Sequence, residues 1–99
     1  MVAMIQSFAD KTTAHIFQQR NSKDARLVPK DLWRVVQRKL KMLDVAATPD
    51  DLESPPGNRL KPLKGKMRGR CSIRVNDQYR VTFRWENGHA FEVTVEDYH

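Results

Sequence analysis

Between Cys71 and Trp85, polar and apolar residues alternate almost without a break. Ile73 and Val75 alternate with Ser72 and Arg74, and Tyr79, Val81, Phe83 and Trp85 alternate with Arg80, Thr82 and Arg84. A period of two over this length predicts two half-buried strands, with Asn76-Asp77-Gln78 as the turn between them. Burial also sets the register. An odd loop places Val75 against Tyr79, Ile73 against Val81 and Cys71 against Phe83 on one face, whereas an even loop mixes the two faces. The odd register leaves Arg74 directly opposite Arg80. Like charges across a strand pair repel. Such a pair either spreads into solvent or holds an anion, and two guanidinium forks suit a phosphate.

The flanking pattern predicts the rest of an α+β fold, a short N-terminal strand and two helices packed on an antiparallel β-sheet. Residues 2–8 are apolar enough for a first strand. Asp10 is an expected N-cap for a helix running to about Arg20, with Ile16 and Phe17 facing the core and His15 solvated or partly packed. Pro29 and Asp31 suit the opening of a second helix. Its core stripe is Leu32, Val36, Leu40 and Leu43, with Trp33 beside them, and Arg34, Arg38 and Lys41 fall on the opposite, solvated side. Residues 46–58 form a connector in which Thr48 caps one helical turn and Ser54-Pro55-Pro56-Gly57-Asn58 interrupts regular structure. Leu60 and Leu63 anchor a short strand that Pro62 confines to an edge. After Trp85, Asn87-Gly88 signals a two-residue turn, but a straight ladder from such a turn sets Phe83 against Glu92. The expectation is therefore a three-residue loop pairing Phe83 with Phe91, Val81 with Val93 and Tyr79 with Val95, so that Arg80 faces Thr94 and Glu96 lies further along the same polar face.

Ninety-nine residues, 39% hydrophobic and 30% charged, are expected to form one domain spanning 1–99. The net charge of +6 points to an acidic partner. Nine basic residues and one acidic residue lie between Arg59 and Arg84, so the charge is concentrated in the sheet half. The single cysteine, Cys71, cannot form an internal disulfide, which fits a reducing cytoplasm. The N-terminus lacks the apolar run of a signal peptide or membrane span, so no membrane association is expected, and translation from either Met1 or Met4 is compatible with the pattern.

Several chemistries find no support. One cysteine and three scattered histidines do not make a zinc site, and there is no phosphate-binding glycine loop or nucleophile elbow. No metal or cofactor is expected. The predicted polar face instead gathers Lys61, Lys64, Arg74 and Arg80, with the C-terminal Tyr98 and His99 nearby. Arginines there suit a phosphodiester and its transition-state charge, and a histidine suits proton transfer near neutrality. RNA brings its own nucleophile, the 2′-hydroxyl. A non-catalytic RNA- or ribosome-binding surface fits the same residues.

The stretches SPPGNRL, LKPLKG and SIRVNDQYRVTF and the terminal EDYH resemble the HigB-like toxins of the RelE/ParE superfamily, with a likeness that covers most of the chain. The resemblance implies a RelE-like fold and a type II toxin that is a ribosome-dependent mRNA interferase cutting in the A site of the 70S ribosome. It implies neutralisation by a HigA-type helix-turn-helix antitoxin, and contact with operator DNA only through the toxin–antitoxin complex. It places the catalytic set on Arg80, Asp97, Tyr98 and His99, with Lys64 in the LKG element. Lys61 stands where some relatives carry a histidine. A lysine stays protonated near neutrality and serves as a charge stabiliser rather than a proton shuttle, which leaves His99 as the acid–base candidate. Arg74, Arg68, Arg70 and Arg84 complete the expected RNA-binding residues. The ParE branch shares the fold and inhibits DNA gyrase, which is the competing function.

Overall fold

The computed structural model describes residues 4–65 and 69–97. Two helices, α1 (Lys11–Phe17) and α2 (Trp33–Val45), pack on one face of a four-stranded antiparallel sheet with strand order β1 (Lys61–Pro62), β2 (Arg70–Arg74), β3 (Tyr79–Glu86) and β4 (His89–Asp97). The core between the layers is built from Ile16 of α1, Val36, Leu40 and Leu43 of α2, and Ile73, Val81, Phe83 and Val93 of the sheet, all inaccessible to solvent. Trp33 closes one end of it, with its indole N–H donating to the Val28 carbonyl at 2.9 Å. Leu32, expected in the core stripe, is only half buried, because it lies in a 3-10 turn ahead of the helix.

Asp10 caps α1 as expected, accepting from the Thr13 backbone N–H at 2.7 Å. The helix stops at Phe17, short of Arg20, because Gln19 turns left-handed at φ 60°. Thr48 opens a 3-10 turn, Pro49–Glu53, with a reciprocal capping box to Asp51.

The β2–β3 register is the expected one: Cys71 pairs with Phe83, Ile73 with Val81 and Arg74 with Arg80. Asn76 holds the turn, its Oδ1 accepting from the backbone N–H groups of Gln78 and Tyr79 at 2.9 and 2.7 Å. Pro62 lies in the edge strand, whose Lys61 pairs with Ser72.

Two expectations need correction. The β3–β4 connection is the two-residue Asn87-Gly88 turn, with Glu86 opposite His89, Trp85 opposite Ala90 and Arg84 opposite Phe91. A bulge then shifts the pairing, so that Val81 meets Val95 and Arg80 meets Glu96. Glu92 supplies the bulge by adopting φ 53°, which keeps it off the core face that a straight ladder would have forced it onto. The second correction concerns the N-terminus. Among the described residues it forms isolated parallel bridges, Ile5 to Ala90 and Phe8 to Val93, rather than a strand. Val2 and Ala3 lie outside the described residues. The segment runs along the outer edge of β4 and covers it.

Candidate active site

Residues 70, 72 and 74 of β2 share a face with 80, 82 and 84 of β3, because alternate residues of paired strands point the same way. The face is organised in cross-strand rows. Arg74, Arg80 and Glu96 form one row, Lys61, Ser72, Thr82 and Thr94 the next, and Arg70 with Arg84 the third. The middle row is small and hydroxylated, and Ser72 and Thr82 are fully buried although they lie on the polar face. Long arginine side chains roof them. This explains how a face predicted to be solvated comes to hide its central residues.

Arg80 is fixed in this arrangement. Its Nε donates to Ser72 Oγ at 2.8 Å, and its Nη2 donates to the Arg59 carbonyl at 2.7 Å. Two nitrogens bound to oxygens on different segments set the plane of the guanidinium. The group opens on a cleft of about 200 Å³ lined by Lys61, Leu63, Ser72 and Arg80. Across the strand pair from it, Arg74 is half exposed and bonds to Asp77 in the turn. The cleft therefore brings together two cations on separate strands, one apolar side chain and a hydroxyl. That chemistry suits a phosphodiester with its sugar. Among the described residues no cluster of histidine, cysteine or acidic side chains could hold a metal ion.

The other expected site residues divide. Lys64 is exposed beside Gly65, on the segment that follows the edge strand. Arg70 and Arg84 are occupied at the far end of the face. Arg70 Nη2 donates to Thr82 Oγ1 at 3.2 Å and to the Glu92 carbonyl at 2.8 Å, with the Glu92 carboxylate 3.6 Å from Nη1. Arg84 bonds to Glu86, approaches Glu92 at 3.5 Å, and lies over the Phe91 ring at 4.9 Å. Asp97 pairs with Tyr79, which puts it on the alternate side from Arg80, and accepts from Gln78 Nε2 at 3.0 Å. Arg68, Tyr98 and His99 lie outside the described residues. Cys71 is on the core side of β2, where burial, with a smaller push from Asp50, raises its thiol above the ordinary value and disfavours the thiolate.

Sequence reasoning missed Ser72 as the anchor of Arg80. The available signal was a small hydroxylated residue diagonal to it on the same face. Glu96 was expected one pair further along, and the bulge brings it level with Arg80.

A family model described as the RelE-like toxin of the type II toxin–antitoxin system HigB matches residues 6–99. The chain is similar to Toxin HigB-1 of Vibrio cholerae serotype O1, with 40% identity over 93 residues that cover 94% of this chain and 96% of that one. It is similar to Endoribonuclease HigB of Proteus vulgaris, with 35% identity over 97 residues that cover 97% and 100%. Among solved structures, the YoeB–YefM complex of Staphylococcus aureus aligns with a TM-score of 0.60 at 15% identity, covering 96% of this chain and 97% of that one, which speaks to the fold. Among the described residues no helix is long and apolar enough to cross a membrane. The chain belongs to the HigB-like family of RelE-type toxins from type II toxin–antitoxin systems.

Proposed function

We propose that this toxin is an endoribonuclease that cuts mRNA on the ribosome. The observation that carries the reading is the cleft beside Arg80, with Lys61 on one wall and Arg74 directly across the strand pair. The name of the Proteus vulgaris relative, an endoribonuclease, supports it. The scissile phosphate docks against Arg80 and Arg74, and Lys61 adds charge at the cleft wall. The 2′-hydroxyl attacks the adjacent phosphorus and surrenders its proton to a base. The new O–P bond forms as the bond to the 5′-oxygen breaks, and a proton is delivered to that leaving oxygen. His99 is the proposed acid–base group, with Tyr98 and Asp97 beside it in the sequence. Positioned guanidinium groups favour the pentacoordinate transition state, where negative charge is greatest. The neutralising partner is an antitoxin, proposed to be of the HigA helix-turn-helix type, through which the pair contacts operator DNA.

Primer extension on a translated message after induction tests this reading. Cuts within the reading frame that disappear in Arg80→Ala and in His99→Gln are the expected result. Cuts that persist in both variants would mean the site is elsewhere. Intact message accompanied by DNA damage would move the assignment to gyrase.

A further inference from the structure

Lys39 stands out among the charged residues of α2. Arg34, Arg38 and Lys41 face solvent, whereas Lys39 is only 6% exposed. Burial lowers its pKa from the ordinary value, and the neighbouring charges of Arg38 and Arg74 lower it further. Its Nζ donates to a neutral acceptor, Oδ1 of Asn58. Burying an ammonium against a neutral amide is costly, and the hydrogen bond to Asn58 offsets part of that cost.

Asn58 shows where that hydrogen bond leads. It is fully buried, and its Nδ2 donates to the carbonyls of Leu52 and Ser54 at 3.1 and 3.5 Å. Its backbone N–H donates to the Pro55 carbonyl at 2.9 Å. The side-chain oxygen and nitrogen are both engaged, and the residue cannot turn without losing them. The next residue, Arg59, is left-handed at φ 46° and ψ 56°, a conformation that a non-glycine residue adopts only when its surroundings impose it. That turn aims the Arg59 carbonyl at Arg80 Nη2, 2.7 Å away. A continuous path therefore runs from the α2 ammonium, through the clamped asparagine and the left-handed residue, to the guanidinium in the cleft.

We propose that Lys39 and Asn58 are positioning residues for Arg80, acting through the Arg59 carbonyl. The catalytic consequence rests on the endoribonuclease reading, while the aiming itself does not. The Nη2–H resonance of Arg80, from the nitrogen that donates to the Arg59 carbonyl, reads the aim directly in the toxin. It should shift and exchange faster with solvent in Lys39→Met, and partly return in Lys39→Gln, which restores a donor. Arg59→Gly is the variant that tolerates the left-handed turn while loosening it, and it should move the same resonance. In single-turnover cutting of ribosome-bound message, Lys39→Met should lower the rate about 10- to 100-fold, the scale expected when a catalytic group is misaimed, with apparent affinity for the ribosome unchanged. In an Arg80→Ala background, Lys39→Met should cost nothing further. An unmoved Arg80 resonance in both Lys39→Met and Arg59→Gly overturns the proposal, as does an equal rate loss with and without Arg80. If the wild-type toxin cuts no RNA, the enzymatic reading fails and the resonance still decides whether Lys39 aims the guanidinium.

Discussion

The same face of one hairpin carries two cross-strand arginine pairs, and they have been put to different uses. Arg70 and Arg84 are tied down by Glu86, Glu92, Thr82 and the Phe91 ring. Arg80 lines a cleft, held by Ser72 Oγ and the Arg59 carbonyl, with Arg74 across the strand pair from it. Alternation places both pairs in the same way, so alternation alone does not distinguish them. The difference comes from the strands beside them. At the Arg70 end, the β4 bulge brings both the carbonyl and the carboxylate of Glu92 over the pair. At the Arg80 end, the edge strand begins only at Lys61, opposite Ser72, so no strand residue pairs with Arg74 on that side. A guanidinium becomes a tool for substrate only where its neighbours hold it without covering it.

Substitutions can break or sharpen this contrast. The largest effect is expected for Arg80→Ala, with cutting of ribosome-bound message falling about 100- to 1000-fold and the thermal transition largely retained. Arg84→Ala should lose far less activity in the same assay, and a comparable loss would erase the distinction between the two ends. Arg70→Met should show its effect chiefly in stability. It removes a nearly buried set of charge-assisted hydrogen bonds, and urea denaturation should register a loss of about 2 kcal/mol. Glu92→Ala removes exposed partners of Arg70 and Arg84 and should cost below about 1 kcal/mol by the same measurement. The smallest effect concerns pH. Lys39 has a folded-state pKa below 10.5, so the unfolded chain holds more protons as the pH approaches that value. Its burial penalty is fully present at neutral pH and relaxes as pH rises toward 10.5. Urea midpoints of Lys39→Met should therefore climb less than those of the wild type between neutral and alkaline pH.

The parts of the fold that were legible share a cause. The β2–β3 register could be read because every alternate residue from Cys71 to Trp85 agreed on a face and the turn residues were explicit. The start of α1 could be read from Asp10, whereas Pro29 opens a 3-10 turn and α2 begins only at Trp33; the family could be read from SPPGNRL, SIRVNDQYR and DYH. The β3–β4 register could not, because it depends on one left-handed non-glycine residue, Glu92, and no local composition announces that choice. The Asn87-Gly88 turn is explicit in the sequence, and only the bulge at Glu92 reconciles it with a core-facing Phe83. In the site, Lys61, Arg74 and Arg80 were foreseen as neighbours. Their shared face follows from period two, and Lys61 joins it through the edge pairing with Ser72. The division of labour between the arginine pairs, the anchoring by Ser72 and the burial of Lys39 were not foreseen. Each depends on which side chain reaches a partner distant in sequence, and periodicity carries no record of that.

The rims of the sheet have a practical consequence. Backbone bridges from Ile5 and Phe8 shield the outer side of β4, and the opposite border is a two-residue strand containing a proline. Unpaired strand borders are where protein chains recruit copies of themselves. A toxin released from its inhibitor thus offers little template for self-assembly, and should remain dispersed and active at concentrations where a bare-edged sheet would be lost to aggregates.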